Sequence, residues 1–183
     1  FLPLKEISRS LFKKKPESGQ RGRVNIKDAI DEGQEFIVQI EKEERGNKGA
    51  ALTSYLSLAG RYSVLMPNST HGGGISRKIA NSKDRKRLKG ILESLKIPNE
   101  IGVIIRTAGL SRTKVEIKRD IDYLQKIWEG IRELTMKSVA PSLIYEEGNL
   151  IKRTIRDLYD RTIEEVLVEG EKVIPVTEMV LNL

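Results

Sequence analysis

The sequence predicts a mixed α/β chain, α+β in its opening, built from three successive units. Three observations predict it. Residues 1–60 hold short apolar runs separated by turn-rich stretches. Residues 61–145 alternate strand-like runs with two helix-period patterns. Residues 146–183 begin another strand–helix–strand run but are too short to complete a layer.

In the first unit, Phe1–Leu4 (FLPL) reads as the end of a strand interrupted by proline. Residues 13–23 (KKKPESGQRGR) are basic and rich in Pro, Gly and Ser, which predicts a flexible loop. The stretch VNIKDAIDEGQ is a turn-like approach to a strand over Glu35–Ile40 (EFIVQI). The two glycines of ERGNKG make the turn, and Ala50–Leu58 is the return strand of the hairpin.

In the second unit, Tyr62–Met66 is a strand and Pro67–Gly74 a loop. Ser82–Ile97 is a helix, because Leu88, Ile91, Leu92 and Leu95 recur with helical spacing. Gly102–Arg106 is a strand. A longer helix runs from Thr113 to Lys137, with Thr113 and Glu116 at capping-box spacing. Its stripe of Ile117, Ile121, Leu124, Trp128 and Ile131 assigns Trp128 to the core rather than to base stacking. Pro141 ends this unit. In the third, Ser142–Tyr145 and Glu165–Val168 are strands flanking a helix over Asn149–Tyr159, and Ile174–Leu181 is a further helix.

The formal charge of +7 is unevenly spread. Residues 1–60 carry +2, 61–110 carry +7, 111–145 carry +2 and 146–183 carry −4. A basic excess focused on one segment suits a polyanionic partner bound in a salt-sensitive way. The cationic face of the helix at Lys83, Arg85, Lys86, Arg87 and Lys89 reads equally well as a solvated surface. The chain has no cysteine and one histidine, so neither a disulfide framework nor a thiolate zinc site is available within it. No run approaches membrane-span length, and the start lacks the form of a signal peptide, so the cytoplasm is the expected compartment. The chain opens on Phe1 and is expected to be an excerpt of a longer protein.

Two segments could carry binding chemistry. GRYSVLMPNSTHGGGISRK (Gly60–Lys78) and IIRTAG (Ile104–Gly109) are each a strand-like run ending in a glycine-containing loop with an arginine. Backbone N–H groups freed by glycine and a forked guanidinium suit a small anion. Neither segment has the glycine spacing of a nucleotide-binding loop. From RTAG alone, the better reading is an Arg106 paired with a nearby carboxylate and a Thr107 that begins the next turn.

The stretch from ERGNKGAALTSYLSLAG through VLMPN to IIRTAG resembles the ribonuclease E/G family of bacterial endoribonucleases. The resemblance implies a partial OB-type β-barrel over residues 1–58, a 5′-sensor domain over 59–145 and the start of an RNase H-like domain over 146–183. It implies that Arg106 and Thr107 contact an RNA 5′-monophosphate, in a pocket shaped and lined by Gly60 and Val64. Arg77 and Lys78 become supporting basic contacts, although the family commonly has Arg-Arg there and lysine lacks the fork. Phe1 and Lys48 become contacts to single-stranded RNA, Phe1 by stacking and Lys48 along the backbone; from the sequence alone, Phe1 reads as core.

In that family, cutting uses an aspartate pair holding Mg²⁺ in a downstream domain, and a cysteine pair shares zinc between subunits. The resemblance therefore implies Mg²⁺, a structural zinc and a homo-oligomer for the parent protein, and no catalytic residue in this chain. Asp120, Asp122, Asp157 and Asp160 match no metal-ligand motif. A non-enzymatic single-stranded RNA-binding module is the alternative, and sequence beyond Leu183 separates the two.

Overall fold

The computed structural model describes residues 1–13, 25–69, 73–148, 150–159 and 162–167. Most of the loop expected at 13–23, the helix expected at 174–181, Asp160 and Val168 lie outside the described residues.

The opening differs from expectation. Leu4–Glu6 and Arg9–Leu11 are 3-10 turns rather than the end of a strand, the first closed by a bond from Glu6 N–H to the Pro3 carbonyl (2.9 Å). Within residues 1–4 the strand-like pairing is made by Phe1, whose amino group donates to Ala50 O and whose carbonyl accepts from Leu52 N–H (2.9 Å). Those two bonds are the pattern of a parallel ladder. A short helix, α1 (Ile26–Ala29), replaces the turn-like approach, with Asn25 capping it through Lys27 N–H.

The hairpin of β1 (Gln39–Lys42) and β2 (Ala51–Thr53) forms an antiparallel two-stranded sheet. β1 begins later than the apolar run EFIVQI suggests. Gln39 sets its start, since its side-chain amide bonds both the N–H and the carbonyl of Ser57. Among the described residues this sheet does not close into a barrel.

A second sheet has the order β3 (Leu58–Ala59), β4 (Ser63–Met66), β6 (Gly102–Ile105), β5 (Gly74–Ile75). β3–β4 and β4–β6 are antiparallel, whereas β5–β6 is parallel, with α2 (Ser82–Ser94) as the crossover. The expected return strand therefore divides: β2 belongs to the hairpin and β3 to this sheet. α3 (Lys114–Lys137) packs on β4 and β3.

Alternation along β4 turns Ser63 and Leu65 inward. Leu65, with Val103 and Ile105 of β6, meets Leu88 of α2 and Ile117, Ile121, Leu124 and Ile131 of α3 in one core. Trp128 packs against its margin, as its spacing predicts. The Thr113–Glu116 capping box is present in both directions, and bonding to Thr113 holds the Glu116 carboxyl below its usual range. α4 (Leu150–Leu158) matches the predicted helix. Ser142–Tyr145 is irregular rather than a strand, and so is 165–167.

Candidate functional site

The parallel pairing of β5 and β6 brings the ends of both glycine–arginine segments to one edge of the sheet. Gly74 lies opposite Ile104 and Ile75 opposite Ile105, and Ser76 N–H continues the ladder to Ile105 O (2.8 Å). Arg77 and Lys78 thus leave β5 where Arg106 and Thr107 leave β6, and carboxyl ends of parallel strands are common ligand positions. On the other side of β6, Arg106 N–H donates to Tyr62 O (2.8 Å), which extends the β4–β6 register by one residue. Val64 is opposite both Ala59 and Ile104, so the pleat puts it on the face of β4 away from Leu65.

Arg106 is the centre of the arrangement. Its Nη1 donates to the carbonyl of Gly60 (2.5 Å) and to Oδ1 of Asp157 on α4 (2.7 Å). Thr107 begins a 3-10 turn over Thr107–Gly109 and is exposed. Both features match what RTAG alone predicts: an arginine paired with a carboxylate and a threonine opening the next turn. The carboxylate itself lies 51 residues away.

Arg156, next to Asp157, is the second guanidinium. Its Nε and Nη2 each reach one oxygen of Asp157 (3.1 Å), and its Nη1 donates to Ala59 O (3.0 Å) and to Glu147. Arg61 completes the docking of α4 by donating to Tyr159 O. The bonds to Ala59 O and Tyr159 O tie α4 and the residue after it to β3 and the β3–β4 turn, and the Asp157–Arg106 bond ties α4 to the end of β6.

Hydrogen bonding from Arg156, and then from Arg106, holds the Asp157 carboxyl at about 2, against partial burial that opposes the shift. A depressed carboxylate contributes stability above its unfolded value of about 3.9. That contribution is lost as pH falls through the folded value. The docking of α4 is therefore expected to be fully held at pH 5 and to loosen between about pH 4 and pH 2. Amide exchange across α4, compared with that of α3 over the same pH series, measures it.

A further carboxylate shapes the site from behind. Asp120 of α3 accepts from the backbone N–H groups of Arg61 (2.9 Å), Tyr62 (3.0 Å) and Ser63 (2.8 Å), and from the Ser63 hydroxyl (2.5 Å). Three successive N–H groups aimed at one point form an anion-binding concavity, and this one is filled from within. The signal was in the sequence: Asp120 stands three residues after Ile117 and beside Ile121 on the buried stripe, where a carboxylate must find partners. Arg61 and Arg112 also flank the Tyr62 ring, at 5.4 and 5.1 Å from its centroid.

The cationic face of α2 divides. Arg85 donates to the carbonyls of Ser76 and Ile79 (3.0 Å each), and Arg87 to those of Leu110 and Arg112. Both arginines are structural clamps, whereas Lys83, Lys86 and Lys89 are exposed.

Phe1 and Lys48 lie apart from this edge, in the first sheet. Phe1 is 81% exposed, which overturns its assignment to the core from sequence alone. Lys48 pairs with Arg45 through both backbone bonds at the tip of the β1–β2 hairpin, two residues from Ala50, the main-chain partner of Phe1. Arg77 and Lys78 are exposed, and Arg77 borders a groove of about 470 Å³ whose walls include Tyr55, Met66, Asn68 and Ile104. Among the described residues no group of three or more His, Cys, Asp or Glu side chains could hold a metal ion. No helix of the described residues is long and apolar enough to cross a membrane.

The ribonuclease E/G family model matches residues 57–182. The chain is similar to ribonuclease E of Escherichia coli (strain K12), at 49% identity over 174 residues, covering 95% of this chain and 16% of that protein. Ribonuclease E of Haemophilus influenzae is 48% identical over 174 residues, covering 94% and 18%. Ribonuclease G of Haemophilus influenzae is 34% identical over 148 residues, covering 80% and 30%. The chain spans less than a fifth of the length of these two ribonuclease E relatives.

Proposed function

The chain belongs to the ribonuclease E/G family, and from that membership and the geometry at Arg106 we propose that it binds single-stranded RNA and senses a 5′-monophosphate. Residues 1–58 are the OB-type part that tracks the strand, through Phe1 and Lys48. Residues 59–145 are the sensor domain, and 146–183 open an RNase H-like domain. The parent protein is a single-strand endoribonuclease of RNA processing and decay in the cytoplasm. It is a homo-oligomer, with Mg²⁺ and a structural zinc held by residues beyond this chain.

The observation that carries the reading is Arg106. It stands at the carboxyl end of a strand with its guanidinium oriented by the Gly60 carbonyl (2.5 Å) and an exposed Thr107 beside it. Its bonds to Gly60 O and Asp157 both leave from Nη1, so Nε and Nη2 keep N–H donors for phosphate oxygens. Gly60 and Val64 form the wall, Thr107 adds a hydroxyl, and Arg77 and Lys78 add positive potential from the neighbouring strand end. A monophosphate is the proposed occupant, in preference to a triphosphate. Anchoring the 5′ end raises the effective concentration of the downstream strand at a distant cleavage site.

The test compares 5′-monophosphorylated with 5′-hydroxyl oligonucleotides binding to the full-length protein. A charge-assisted bond contributes about 1.5–3 kcal/mol, so Arg106→Ala is expected to cut the monophosphate preference about tenfold or more. An unchanged ratio removes the sensor assignment.

A further inference from the structure

We propose that Asp157 is an internal counter-ion that occupies the Arg106–Arg156 pair when no RNA end is bound, and that a 5′-phosphate binds by displacing it and loosening α4 from the end of β6. The inference rests on the sensor reading of Arg106 and adds a residue that sets how selective that site is.

The carboxylate is placed as a phosphate would be. Oδ1 accepts from Arg106 Nη1 (2.7 Å) and Arg156 Nε (3.1 Å), while Oδ2 accepts from Arg156 Nη2 (3.1 Å). It is therefore bidentate on one guanidinium and bridges to the second, a geometry that phosphate oxygens share. A dianionic phosphate brings more charge and one more acceptor oxygen than the carboxylate, so exchange favours it.

Exposure makes the exchange possible. The Arg106 and Asp157 side chains are 29% and 35% exposed, so an incoming anion can reach their contact. Arg156 is only 13% exposed and keeps Glu147 and the Ala59 carbonyl as partners if Asp157 leaves. The binding cations thus stay fixed while the anion between them changes. Arg106 likewise keeps its bond to Gly60 O. The contact that yields is the direct one between α4 and β6, because Asp157 is the α4 residue that holds Arg106.

The mechanism differs from a purely positioning role in the sign of its effect. If Asp157 merely held Arg106 in place, removing its charge would weaken phosphate binding. A competitor has the opposite effect. In the full-length protein, Asp157→Asn is expected to raise the preference for 5′-monophosphorylated over 5′-hydroxyl oligonucleotide about fivefold or more, within the usual range of coupling between sites. Unaltered protein supplies the second readout. Hydrogen exchange across Leu150–Leu158 is expected to speed up on adding the monophosphorylated oligonucleotide and to stay unchanged with the 5′-hydroxyl one.

A preference that falls or stays constant in Asp157→Asn overturns the displacement, and so does α4 exchange that is indifferent to the 5′-phosphate. Arg106→Ala separates the two claims. If it abolishes the preference while Asp157→Asn fails to raise it, the sensor stands and only the counter-ion role falls. If Arg106→Ala changes nothing, the sensor reading falls and the displacement with it.

Discussion

Replacing Asp120 with alanine is expected to destabilise the domain by about 2–4 kcal/mol, because it strands several donors together. The carboxylate accepts from three consecutive backbone N–H groups and from the hydroxyl of Ser63, and Ser63 is fully buried. Water can reach Arg61 and Tyr62, which are half-buried, so the upper part of the range belongs to the Ser63 donors. Asp120→Asn recovers only part of the loss, since an amide nitrogen cannot accept. Hydrogen exchange at the amides of Arg61, Tyr62 and Ser63 reports this directly in the full-length protein. Protection there should collapse in Asp120→Ala, and unaltered protection would mean that the carboxylate does not hold the turn.

Gly60→Ala is expected to act on the same hub from the opposite side. A Cβ at residue 60 would stand 2.6 Å from Oδ2 and 2.7 Å from Oδ1 of Asp120. Four hydrogen bonds fix that carboxylate, so it cannot swing away as the end of a free side chain would. The overpacking costs about 1–3 kcal/mol. It also shifts the carbonyl that orients Arg106, so the monophosphate preference should fall about as far as in Arg106→Ala. A double-mutant cycle separates clash from cavity. With Asp120 already alanine, the carboxylate atoms that the methyl group at position 60 would meet are gone, so the pair should cost less than the sum of its parts. Strict additivity would show that the two residues do not meet.

What the sequence made legible is what is encoded locally. α2 and α3 follow from helical spacing, and the start of α3 follows from a cap that Thr113 and Glu116 complete within four residues. The β6 strand and the turn beginning at Thr107 follow from an apolar run that meets a small-residue loop. Membership of the ribonuclease E/G family was legible as well, from LAG, VLMPN and RTAG.

The remainder depends on partners distant in sequence. Strand boundaries in the first unit are set by Gln39 reaching Ser57 and by Phe1 pairing along β2, neither of which a local window contains. Asp120 and Asp157 each looked like one more charge on a helix. Their roles come from turns and strand ends 57–59 and 51 residues away. The basic face of α2 was ambiguous for the same reason, because the carbonyls that occupy Arg87 belong to residues 110 and 112.

Those separations have a consequence for how the protein comes into being. The Arg106 site is closed by contacts spanning 46 residues to Gly60 and 51 to Asp157. Contacts of such length form late, because chain entropy must be overcome before they return any energy. Hairpin and helices, whose contacts are short, come earlier. A chain emerging from the ribosome would thus pass through a stage at which it carries exposed cations and an exposed Phe1 but no assembled Arg106 site. On the proposed RNA-binding role, it could at that stage adhere to RNA without regard to the state of the 5′ end. Under the proposed sensor role, discrimination would arrive only with the finished fold, and telling one RNA terminus from another would double as a certificate that maturation is complete.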